Sequence, residues 1–125
     1  MQSVNLEPDS KTPGVSLEKQ NGTIKIWGRS IPEDSVGFYG PVFEWLDEYA
    51  SDPSNDTVAE FRMEYFNTSS SKCLLDIFRK LESMQRSGRT KVQVKWFYEE
   101  DDEDMMEAGE DYQTIVELPF NIEVG

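Results

Sequence analysis

The 125-residue sequence contains no histidine. Ser-His-Asp triads, imidazole general bases and His-ligated zinc sites are therefore excluded. Its one cysteine, Cys73, has no partner for an internal disulfide, which fits a reducing compartment. Set before Leu74 and Leu75 on a helical stripe, it reads as a small buried hydrophobe and not as a reactive thiol. Bases are scarce, 12 Lys and Arg against 25 Asp and Glu, and the formal charge of -13 argues against nucleic acid or an anionic membrane surface as a partner. No apolar run reaches the length of a bilayer span, and the N-terminus lacks a basic stretch followed by an apolar one. A cytoplasmic location is expected. A glycine-rich phosphate cradle is also missing, and with it much nucleotide chemistry.

What remains is a globular composition, with 37% hydrophobic and 12% aromatic residues, enough for the core of one domain. Residues 1–13 are polar and carry Pro8 and Pro13, which predicts a flexible N-terminal arm ahead of a single domain over 14–125. Val15 and Leu17, the turn pair Asn21-Gly22, then Ile24 and Ile26 predict a hairpin. Trp27 falls on the opposite face from Ile24 and Ile26, so that face is expected to be partly covered. Tyr39, Val42, Phe43, Leu46 and Tyr49 recur at helical spacing, in a helix capped by Ser35 or begun at Pro41.

From Thr57 to Phe66 the residues alternate, as in a half-buried strand. Leu74, Ile77, Phe78, Leu81 and Met84 then form a second helical stripe, closed by Gly88. Strands are expected at 92–98 and 116–124, the latter at a sheet edge because Pro119 cannot donate to a ladder. This order of elements predicts an α/β fold, a mixed sheet with helices packed on it. Between the last two strands, nine of the thirteen residues 99–111 are acidic. They lack the alternating carboxylates and fixed glycine of a calcium loop, so a solvated acidic loop or short helix is expected, with neither metal nor cofactor.

The stretch Asn67-Thr68-Ser69-Ser70-Ser71-Lys72 stands apart. Small hydroxyl and amide side chains between a strand and an apolar-periodic run make a turn feeding a helix N-terminus, where free N–H groups and the peptide dipoles favour an anion. Lys72 is expected in the first helical turn, where a cation opposes the dipole, so it fits a role in holding an incoming anion. The plainer reading of the same residues is a polar cap with an exposed lysine.

Tyr65-Phe66-Asn67-Thr68-Ser69-Ser70-Ser71-Lys72 with Leu74-Leu75-Asp76-Ile77 resembles the SiaC family of bacterial regulatory phosphoproteins, as do Pro32-Glu33-Asp34-Ser35, Gly88-Arg89 and Trp96-Phe97-Tyr98. The family's fold is similar to the STAS domains of anti-sigma-factor antagonists, and the resemblance runs from about Ile24 to Ile122. It implies a non-enzymatic signalling adaptor. Thr68 is then the residue phosphorylated by a partner kinase and restored by a partner phosphatase, and the unmodified protein binds and activates a diguanylate cyclase, linking the switch to cyclic di-GMP and biofilm behaviour. Asn67, Ser69, Ser70, Ser71 and Lys72 become the phosphate-neighbouring and partner-binding residues, with Lys72 and the N–H groups of Ser70 and Ser71 as candidate phosphate holders. An anti-sigma-factor antagonist and a constitutive interaction scaffold are the alternatives.

Overall fold

The computed structural model describes residues 1–125. Nine elements follow in order: β1 (Val4–Leu6), β2 (Gly14–Glu18), β3 (Thr23–Ser30), α1 (Ser35–Ser51), β4 (Asp56–Phe66), α2 (Thr68–Ser87), β5 (Lys91–Tyr98), α3 (Glu103–Ile115) and β6 (Phe120–Val124). The six strands form one sheet in chain order; β1 to β3 are antiparallel, and β3 to β6 parallel. Three successive crossovers of one hand, each advancing by one strand, set all three helices on the same face. The buried strand residues accordingly share that face, among them Val15, Leu17, Ile24, Ile26, Ala59, Phe61, Val92, Val94, Trp96 and Phe120. The mixed α/β sheet expected from the sequence is the observed one.

The other face carries no helix. Ser16, Lys25, Glu60, Lys95 and Asn121 lie side by side across it, an alternation suited to a sheet solvated on one side. Trp27 is half-buried there for a local reason: its indole lies over Gly14 on the paired strand, where an added Cβ would sit 2.3 Å from the ring. No covering layer is needed to explain it.

Several boundaries differ from expectation. Residues 1–13, expected as a loose arm, contribute β1, which pairs Val4 with Leu17 and Leu6 with Val15. Helix α1 begins at Ser35 with Asp34 as its cap, whose Oδ1 accepts from the Gly37 N–H at 3.0 Å, and it continues through Pro41. Pro41 and Gly37 both face solvent, so water can take the Gly37 carbonyl left without its helical donor. The acidic run resolves into helix α3, because Asp102 caps it and Glu103 and Asp104 complement the dipole in its first turn. Residues 116–119 are a connection: Val116 ends α3, and the strand starts only at Phe120. As Pro119 implied, this strand is a sheet edge.

Candidate functional site

At the C-terminal end of β4 the chain turns at Asn67 into α2. Asn67 has extended backbone angles, and its Oδ1 accepts from the Ser70 N–H at 2.9 Å and from the Ser69 hydroxyl at 3.2 Å, making it the cap. Its carbonyl accepts from the Ser71 N–H at 2.9 Å, and its own N–H donates to the Ser30 carbonyl at 3.0 Å. The turn is thus bonded both to the helix it starts and to the neighbouring strand.

Below it lies a buried hydroxyl chain. The Ser70 hydroxyl donates to the Ser30 carbonyl at 3.0 Å, and the Ser30 hydroxyl donates to Ser70 Oγ at 2.7 Å. Each hydroxyl has one proton, so the 2.7 Å contact between Ser30 Oγ and Tyr39 Oη must be donated by the tyrosine. Burial pushes the Tyr39 phenol up to about 12, with the Ser30 contact offsetting part of the rise. Tyr39 therefore stays a donor throughout the neutral range.

The same proton argument applies at the surface. Ser69 Oγ donates to Asn67, so Ser35 Oγ, 2.7 Å away, donates to Ser69. Ser35 opens α1 and Ser69 lies in the first turn of α2, so two helix N-termini meet at this corner. Both present positive dipole ends. On the far side, Tyr112 of α3 donates to the Ser71 carbonyl at 2.9 Å and lies 3.3 Å from its hydroxyl; burial raises this phenol too, against the lowering effect of Ser71.

These contacts separate the six candidate residues. Thr68 is exposed, is the first helical residue, and its hydroxyl has no hydrogen-bond partner in the fold. Ser69 is exposed but held between Asn67 and Ser35. Ser70 is fully buried, so its expected place beside a phosphate or partner is corrected: it fastens α2 to β3 from beneath. Nor are the N–H groups of Ser70 and Ser71 free, since Asn67 takes both; the two without an intrahelical acceptor are those of Thr68 and Ser69. Lys72 is the fifth helical residue, past the first turn, and forms no ion pair. It lines a groove of about 340 Å³ between α2 and α3, together with Phe66, Leu75, Asp111, Tyr112 and Ile115.

The supporting roles of Ser30 and Tyr112 have no signal in the sequence, Ser35 is legible there only as a helix start and part of the family resemblance, and Tyr39 only as part of an apolar stripe. Cys73 is 5% exposed, with burial raising its thiol, and takes no part in the site. No group of acidic residues gathers to hold a metal ion, and no helix is long and apolar enough to cross a membrane.

A sequence model described as SiaC family regulatory phosphoprotein matches residues 6–124. An uncharacterised protein of Pseudomonas aeruginosa (strain UCBPP-PA14) is 29% identical over 123 residues, covering 98% of this chain and 97% of its own. Among solved structures, apo-SiaC from Pseudomonas aeruginosa superposes with a TM-score of 0.90 at 29% identity, covering 99% of this chain and 100% of that one. SiaC in a complex with the diguanylate cyclase SiaD, of which it is the activator, superposes with a TM-score of 0.91 at 29% identity over 98% and 99% of the two chains.

Proposed function

Because the chain belongs to the SiaC family of regulatory phosphoproteins, we propose that it is a cytoplasmic, non-enzymatic switch whose acceptor residue is Thr68. The observation that carries this reading is the division of labour among the hydroxyls. Four stand in a row, yet only Thr68 is both exposed and unbonded, so a kinase can take it without dismantling the cap or the buried chain. A phosphate there lies beside the N–H groups of Thr68 and Ser69 at the meeting of two helix N-termini. Lys72, one turn further along α2, adds a cation.

The unmodified protein binds and activates a diguanylate cyclase, as the complex of the homologous SiaC with SiaD suggests. Phosphorylation reverses this by placing about 1.5 to 2 negative charges on a surface that the cyclase must cover and desolvate. A kinase and a phosphatase complete the cycle. The test is cyclic di-GMP production by the cognate purified cyclase with three forms of the protein: unmodified, Thr68→Ala, and carrying phosphothreonine at 68. Stimulation by the first two and its loss with the third is the expected result. Equal stimulation by all three would remove the switch.

A further inference from the structure

The sheet ends at β1, whose outer edge is unpaired. Beside that edge an open groove of about 890 Å³ runs between the N-terminal strand and α1, lined by Met1, Val4, Pro41, Glu44, Trp45 and Glu48 among others. Trp45 is 4% exposed, its ring is stacked on Tyr49 with centroids 4.8 Å apart, and its indole Nε1 is the one buried side-chain polar atom without a hydrogen-bond partner. That N–H lies below the surface, so Trp45 lines the groove through its ring. Around the groove stand three carboxylates. Asp47 is neutralised by Lys80 at 2.6 Å, whereas Glu44 and Glu48 form no ion pair.

We propose that this groove takes an extended, Lys- or Arg-bearing segment of a partner protein, added to β1 as a further strand. Main-chain groups of the segment pair with the free edge of β1. Its cations meet Glu44 and Glu48, whose separation along the helix, about 6 Å for four residues, matches the roughly 6.6 Å between alternate residues of a strand. A second copy of this chain is a poorer occupant, because edge-to-edge pairing through β1 brings two acidic rims together. The site is separate from the Thr68 corner, with Glu44 about 14 Å along α1 from Ser35. Changes at Thr68 leave it untouched.

The test is an amide and indole NMR titration of the full chain with the peptide Val-Lys-Val-Lys-Val-Lys, set against the same peptide with Glu for Lys. The expected result is saturable binding below about 1 mM with shifts confined to β1 and α1, including the Trp45 indole N–H, and none with the Glu peptide. The variant E44Q/E48Q weakens binding about tenfold. Four results would overturn the proposal: no saturation by about 1 mM, shifts centred on residues 99–111, equal binding of the Glu peptide, or a concentration-dependent dimer paired through β1.

Discussion

At Thr68 and Asn67, neighbours in sequence, stability and the proposed switch fall on different side chains. Asn67 holds the helix start through Ser70, so Asn67→Ala is expected to cost about 1 kcal/mol in urea unfolding. Thr68 bonds to nothing, and Thr68→Ala is expected to stay within about 0.5 kcal/mol of the parent. A scaffold whose hydroxyl turn is merely a cap has no need of a free threonine at an exposed position of that turn. Beneath them, Tyr39 supplies the proton that completes the Ser30 and Ser70 chain. Its phenol is raised from 10.0 to about 12, so its contribution is intact below pH 10 and is lost as pH rises toward 12, because the unfolded chain ionises first. Tyr39→Phe is expected to cost about 1 kcal/mol at neutral pH, and to remove that part of the decline in stability between pH 10 and 12.

Beside the Tyr112 bond to Ser71, two contacts fix helix α3 and the chain that leaves it. The Trp96 indole donates to the Met105 carbonyl at 2.9 Å, and Gly109 lets the helix lie against the same ring, where an added Cβ would be 2.4 Å from Cδ1. Gly109→Ala is therefore expected to lose about 1 to 3 kcal/mol despite the better helix propensity of alanine, as thermal unfolding will measure. The second contact is Glu82 on α2, 3% exposed, whose carboxylate accepts from the Glu117 N–H at 2.6 Å and pairs with Arg79 and Arg86. The Glu117 hydrogen bond, with smaller help from the arginines, holds its pKa below the ordinary carboxyl value. The stability it gives is present above that value and lost as pH falls through the lowered one. Glu82→Gln is expected to flatten this acid limb of the pH–stability profile.

Elements of this kind also mark how far the sequence could be read. Strand alternation and the α1 and α2 stripes were visible because one face of each is buried. The edge position of β6 followed from one proline. The three residues of β1 were too few to show a period, and Asp102 capping α3 lay hidden inside a run that reads first as charge. At the site, the hydroxyl turn was legible as a helix start, but burial divides Ser70 from Thr68. Burial there depends on Ser30 of β3 and Tyr39 of α1, 40 and 31 positions before Ser70.

On the scale of the whole molecule, the formal charge of -13 makes one phosphate look minor. Screening over about 8 Å at physiological salt removes most of the distant charge from the balance. What the proposed phosphate on Thr68 would meet is local: two helix N-termini, the open N–H groups of Thr68 and Ser69, and Lys72, all favourable to an anion. The folded domain is therefore expected to accept modification with its architecture unchanged and its unfolding free energy equal or raised by up to about 1 kcal/mol, since an anion at a helix start is stabilising by that order. Denaturation of the two forms at the same ionic strength measures it directly. A loss of about 2 kcal/mol or more on phosphorylation would mean that the turn opens, and that the switch works by releasing α2 from Ser30 and Ser35. Stability preserved, with cyclase activation lost, places the switch in the surface that the partner must cover.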